Sequence, residues 1–317
     1  MDATDATNAM LLAARQQLHE GTGTLVLPAL DRAAACSDDL WVDGTRFLVR
    51  ASLRPGAGAK RWVVDLQDSS PASDRVALGL DAELVRFATA AAFSDALGLE
   101  HAERGLLGEI ELLTDDATWV GRAPAGDACA RLFGAARVFD AIRGALALAW
   151  PTRARAASCS LGAIVIADDD GDALVDVVPG GRGASVAEVG TAAWAGPILA
   201  TGPLRAHPAV VVHHAARPES GGGGARCGGD GVVARYEFAA PMRVRVALDR
   251  ITNPPHGLDR AGPPLCSELT RIDRLGASHP IAPWQTHSLG AGEAIEVRTA
   301  GGAGHGFPGW GIEFEWE

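Results

Sequence analysis

Between Gly221 and Gly231, seven of eleven residues are glycine, in the stretch "RPESGGGGARCGGDGVVARYEF", and the chain runs straight from there into a β-type segment. So dense a glycine run limits this part of the chain to a phosphate cradle, a metal loop or a backbone device. No helix follows to lend its N-terminal dipole to a phosphate, which favours the backbone device. Gly228, Gly229 and Gly231 around Asp230 are predicted to take backbone angles closed to other residues, turning the chain tightly so that Val232 and Val233 open the next strand.

Elsewhere the hydrophobic pattern divides the chain near Pro151. Before it, Asn8 to His19 has helical spacing ending at Gly21, and "RFLVRASL" and "RWVVDLQD" flank a turn-rich "RPGAGA" as a loose hairpin. An alanine-rich amphipathic helix is predicted over roughly 81–97. The clearest helix is "DACARLFGAARVFDAIRGALALAW", capped by Asp127, with Leu132, Phe133, Ala136, Phe139, Ile142 and Leu146 on one face. After Pro151, short alternating runs between Gly and Pro predict a mainly β second half. "GAIVIADDDGDALVDVV" reads as strand, turn and strand, because its acidic turn lacks the glycine and glutamate spacing of a calcium loop. The closing "WGIEFEWE" alternates as a half-buried strand. The division is accordingly 1–151, mixed strand and helix, and 152–317, β-rich, or one continuous fold.

With 28 Lys plus Arg against 39 Asp plus Glu, the net charge of −11 disfavours nucleic acid as a partner. Lys60 is the only lysine and no Ser or Thr follows it, so no phosphate-binding loop is formed. No run approaches the ~18 apolar residues of a membrane span, and residues 1–20 lack the pattern of a signal peptide. The five cysteines are scattered, and a cytoplasmic location is expected.

Candidate chemistry is sparse. His213 and His214 are adjacent and point to opposite faces of a strand, so at most one serves a given site. No HxH, HxxxH or CxxC spacing is present. Cys159 and Cys227 sit in no nucleophile signature, and Glu109 and Glu111 read as the solvated side of a strand.

Taken as an ordered string, the glycine run followed by "APMRVRVALDRITNPPHGLDRAGP" resembles the C-terminal portion of the hydantoinase B and oxoprolinase family, where a "SGGxGxxRGGDGxxREYxF" run leads to "SDRxxxPPxGLxGGxPG". "LGAGEAIEVRTAGGAGHG" is similar to the family's closing block, and "RWVVDLQDSSP", "RVFDAIRGALALAWPTRARAAS" and "DVVPGGRGA" are similar to blocks upstream. The motif residues carried by the resemblance are Gly228, Gly229, Asp230, Gly231, Asp249, Arg250, Pro254, Pro255 and Gly257. Two departures stand out. Family members are longer at the N-terminus, where metal-associated blocks lie. In addition, the family's polar "HMTNTRNTPVEVLE" corresponds here to "VGTAAWAGPILATG", and Cys227 replaces an arginine.

The resemblance implies an α+β fold with a β-rich C-terminal region and a helical layer from the N-terminal half. It implies a truncated, divergent B-type subunit of a complex that opens cyclic amides with ATP, or a non-catalytic structural paralogue, or a subunit of a carboxylase of the acetone or acetophenone type. ATP and a metal are implied for the complex, with no cofactor held by this chain. The partners implied are an ATP-using A-type subunit and a separate N-terminal B-type half, or self-association. Trp194, Pro197, Ile198 and Leu199, in the depolarised segment, are the interface candidates, and no catalytic residue is assigned. From ligand spacing, the isolated chain is expected to hold no metal tightly. Elemental analysis after chelator-free purification checks this, and a stoichiometric zinc or manganese content is the contrary result.

Overall fold

The computed structural model describes residues 18–19, 27–30, 32–99, 101–158, 161–194, 202–205 and 207–308. Of the helix predicted over 8–19, only Leu18–His19 (β1) is described, and it is a strand pairing in parallel with Ala102–Glu103 (β5). The predicted strand at 310–317 lies outside the described residues.

A four-stranded sheet is formed by Ala34–Val42 (β2), Thr45–Pro55 (β3), Trp62–Asp65 (β4) and Ile110–Leu113 (β6), in the order β2-β3-β4-β6. The predicted loose hairpin is the antiparallel β3–β4 pair, while β6 joins in parallel. Two helices cover this sheet. Ala82–Leu97 (α1) starts where the Asp81 side chain accepts the Leu84 N–H at 2.9 Å and stops at Gly98, whose left-handed φ of 72° ends the turn. Ala128–Ala149 (α2) is capped by Asp127, which accepts from Cys129 N and Ala130 N, and it is followed by Pro151.

The rest of the chain builds two antiparallel five-stranded sheets. In one, Thr286–Leu289 (β15), Met242–Leu248 (β12), Leu161–Ala167 (β7), Ala173–Pro179 (β8) and Gly202–Arg205 (β9) lie in that order. The other runs Val210–Arg217 (β10), Gly231–Phe238 (β11), Ala294–Arg298 (β16), Glu268–Ile272 (β13) and Ser278–Pro280 (β14). Strand alternation decides the layering. Ile164, Ile166, Leu174 and Val178 pack with Val232, Ala234, Tyr236, Ile295 and Val297 of the second sheet. Their neighbours Ala163, Val165, Val175 and Val177 pack with the helices and the four-stranded sheet. The middle sheet is therefore covered on both faces, and α2 lies between two sheets. The fold is α+β, with a β-rich second half. Among the described residues no helix is long and apolar enough to cross a membrane.

The glycine run differs from the sequence reading in its physical cause. Gly228, Gly229 and Gly231 have no left-handed φ, so the turning device expected of them is absent. They are needed for close approach. A Cβ on Gly228 would lie 1.9 Å from the Gly302 carbonyl oxygen, one on Gly229 2.0 Å from that of Thr191, and one on Gly181 1.9 Å from that of Gly229. Bare backbones from around residues 181, 190, 222, 228 and 302 stack and bond directly, with Gly229 N donating to Arg182 O at 2.9 Å and Gly302 N to Gly229 O at 2.8 Å. Asp230 accepts the Gly221 N–H at 3.0 Å, and the Ser220 hydroxyl accepts that of Gly231 at 2.9 Å, closing the loop on itself.

Gly229→Ala is expected to destabilise by at least the ~1–3 kcal/mol of an overpacked site, because the clash is with backbone that cannot rotate away. Gly105→Ala, with open space where its Cβ would go, is expected to stay within about 0.5 kcal/mol of wild type. Asp230→Asn should fall between the two. Thermal melts of the three variants check the order, and equal shifts would contradict it.

Candidate functional site

Because α2 is enclosed by two sheets, it is buried around nearly its whole circumference, with Arg131 and Leu148 the exceptions, rather than along the one apolar face read from the sequence. Three ionisable residues spaced three apart, Arg137, Asp140 and Arg143, are thereby taken out of water. Unpaired, such charges would be very costly. The fold surrounds them with counter-charges from three other segments.

Arg250, from the loop after β12, donates to both oxygens of Asp38 on β2 at 2.7 Å each and to Asp140 at 2.8 Å. Arg137 stands 3.2 Å from Asp38, 3.4 Å from Asp140 and 3.3 Å from Asp249. Asp249 also accepts the Leu161 N–H at 2.9 Å, where β7 begins. Arg143 donates to the Ser158 hydroxyl at 2.7 Å and the Ala156 carbonyl at 2.6 Å, and lies 3.2 Å from Asp95 at the end of α1. Asp95 in turn takes Arg182 at 2.7 Å.

Burial pushes Asp140 up to about 7 against the pull of Arg137 and Arg143, and it pushes Asp38 upward against the pull of Arg137. At Asp95 burial also raises the pKa, but Arg143, Arg182 and Arg155 outweigh it and hold the carboxyl below its usual range. At the edge of this network Cys36 Sγ lies 4.0 Å from His256 Nε2, a closeness that Gly144 permits, since a Cβ there would sit 2.4 Å from the sulfur. Burial and then Asp38 push the Cys36 thiol up to about 11, and burial holds His256 below its ordinary value. Near neutral pH this gives a protonated thiol beside a neutral imidazole rather than an ion pair. The cluster as a whole is a neutralised interior.

A second charged contact lies on the other face of the middle sheet. Asp176 of β8, fully buried, accepts from His214 Nε2 and from the Tyr236 hydroxyl, both at 2.8 Å. Its hydrogen bond raises the His214 pKa, and burial with the same carboxylate raises that of Tyr236. Beside the first network, a cleft of about 420 Å³ is lined by Asp39, Trp41, Asp43, Arg75, Asn253 and Trp284 among others. Asp39 there accepts from Arg46, Asn253 and Trp41.

The sequence candidates separate into three places. Gly228, Gly229, Asp230 and Gly231 belong to the stacked glycine layer, and Asp249 and Arg250 to the buried network. Pro254, Pro255 and Gly257 lie in the loop that follows, where a Cβ on Gly257 would meet the Ala261 carbonyl at 2.4 Å. Trp194 is half-buried, with the Arg182 guanidinium 5.1 Å from its ring centroid and Phe139 at 6.3 Å, while Pro197, Ile198 and Leu199 lie outside the described residues. Asp38, Asp95, Arg137, Asp140 and Arg143 were missed. The available signal was a run of charges at three-residue spacing within the longest helix among the described residues. Among the described residues, no group of three or more metal-ligating side chains converges.

Two outcomes follow from these contacts. Asp38→Ala, which takes one counter-charge from each of two buried guanidiniums, is expected to cost about 3–5 kcal/mol by denaturant melts. For His214 the folded pKa lies above the unfolded one, so its stabilisation is full below the unfolded value near pH 6.5 and is lost as pH rises through the folded value. The stability difference between wild type and His214→Asn should thus be larger at pH 6 than at pH 9, and a difference that does not change with pH would contradict the assignment.

Comparison with known proteins places this geometry. The ATP-dependent caprolactamase of Pseudomonas jessenii superposes with a TM-score of 0.65 at 18% identity, covering 96% of this chain and 55% of that one. A nucleotide-free acetone carboxylase superposes at 0.62 and 14% identity, covering 95% of this chain and 47% of that one. In sequence, 5-oxoprolinase 1 of Arabidopsis thaliana is 30% identical over 106 residues, 32% of this chain and 8% of that protein. An uncharacterized protein of Methanocaldococcus jannaschii is 29% identical over 102 residues, 32% of this chain and 18% of that protein. The chain thus spans about half the length of the solved neighbours, and the matched stretches are less than a fifth of these curated relatives. The Hydantoinase B/oxoprolinase family model matches residues 4–308, and the chain belongs to that family.

Proposed function

We propose that this chain is a B-type component of an ATP-dependent assembly that opens the C–N bond of a cyclic amide, and that it acts with partner chains rather than alone. The observation that supports this reading is the state of the largest ionisable cluster. Its arginines and aspartates neutralise one another inside the protein, and the adjacent thiol is protonated. Such a cluster holds layers together and offers a substrate no free base or nucleophile.

In this reading an A-type subunit uses ATP to activate the amide oxygen, water adds to the carbonyl carbon, and the ring nitrogen leaves with a proton. ATP and the metal implied by the family are assigned to the partner chains. Further B-type chains or copies of this one join it in the assembly, in the cytoplasm. The likeness to an acetone carboxylase favours a second reading, in which the same scaffold serves ATP-dependent carboxylation of a ketone.

Light scattering on the chain alone and mixed with A-type and B-type subunits, joined to ATP-coupled assays, tests the proposal. The assays use caprolactam, 5-oxoproline and hydantoin in one arm and acetone with bicarbonate in the other. The isolated chain is expected to show no turnover in either arm and to associate in the mixture. Turnover by a monodisperse monomer would overturn the reading, and turnover of the mixture in the acetone arm alone would select carboxylation.

A further inference from the structure

The cleft between the β2–β3 turn and the segment after β12 shares Asp249 and Arg250 with the neutralised network, but the charges at its mouth are arranged differently. Asp39 in its wall is occupied by three donors. Arg75 and Asp43, which also line it, have no hydrogen-bond or ion-pair partner for their side-chain charges among the described residues. The Arg75 guanidinium stands over the turn, 4.0 Å from where a Cβ on Gly44 would be. One free cation and one free anion therefore face a single space of about 420 Å³.

Two further features point to a ligand. Trp284, only 6% exposed, lines the cleft with part of its side chain and packs its ring on Phe133, and its buried indole N–H has no hydrogen-bond partner among the described residues. Its backbone is left-handed at φ 68°, and that of Arg250 in the same wall at φ 58°, uncommon conformations for bulky residues that concentrate at binding sites. Trp41, 39% exposed, adds an apolar surface at the mouth.

We propose that this cleft binds a small zwitterion of amino-acid type. Arg75 takes its carboxylate, Asp43 its ammonium group and Trp41 its apolar part. A singly charged ligand would leave one of the two free charges unanswered, and a neutral one would leave both.

The test is ligand-observed NMR on the full chain with phenylalanine, N-acetylphenylalanine, which lacks the ammonium charge, and phenylalaninamide, which lacks the carboxylate. Phenylalanine should saturate below about 10 mM and bind most tightly. Arg75→Gln should weaken phenylalanine about tenfold or more and leave phenylalaninamide unchanged, and Asp43→Asn should weaken phenylalanine similarly and leave the N-acetyl compound unchanged. Both positions are exposed, and asparagine tolerates the left-handed backbone of Asp43, so both variants are expected to fold, with thermal melts as the check. No saturable binding, equal binding of all three compounds, or loss in only one variant would overturn the proposal.

Discussion

Arg250 holds the position on which the layers depend. It leaves β12 with a left-handed backbone that turns its guanidinium inward, where it grips both oxygens of Asp38 on the four-stranded sheet and reaches Asp140 on α2. One side chain thus joins the segment after the middle sheet, the helix and the outer sheet. Buried ion pairs of this kind add little net stability over apolar packing of the same volume. We therefore read the network as a device that fixes register. With Arg137, Asp140 and Arg143 on α2, only one rotation and one axial position of that helix answer every charge, whereas its alanine-rich surface would pack acceptably in several.

The glycine layer makes the same network possible from the other side. Arg182 reaches Asp95 from a segment whose backbone lies against that of Gly229 and Gly302. Any side chain at those glycines would push the strands apart by more than the slack in a 2.7 Å ion pair. Close backbone stacking and buried charge are here one constraint: the first sets the distance at which the second is satisfied.

How much of this was legible in the sequence follows the range of each signal. The cap at Asp127, the start of α1 near residue 81, the stop at Pro151 and the β3–β4 hairpin are local and were read correctly, since capping and turn chemistry act over a few residues. The glycine run was read as structural for the wrong reason, because a turn is a local inference whereas contact with Thr191 and Gly302 joins segments far apart in sequence. Asp249 and Arg250 were reached only through a family resemblance, as motif positions with no chemistry attached. Their partners Asp38 and Asp140 lie 212 and 110 residues from Arg250, a pairing that no spacing rule reveals. α2 was read as amphipathic because its apolar positions suffice for one face, and only the second sheet shows that the other face is covered too.

The middle sheet carries both charged clusters, one on each face. Asp249 pins the start of β7 and belongs to the network toward α2, while Asp176 of β8 points the other way and ties β8 to β10 and β11 through His214 and Tyr236. The two clusters differ in one respect. Arginines answer the carboxylates on the α2 side and stay charged at any physiological pH. On the opposite face the basic partner of Asp176 among the described residues is a histidine, whose charge depends on pH. The attachment of the second sheet is therefore strongest while His214 is protonated and weakens as pH rises through its folded pKa, whereas on the α2 side the arginines stay charged and the buried carboxylates titrate, with Asp140 raised to about 7.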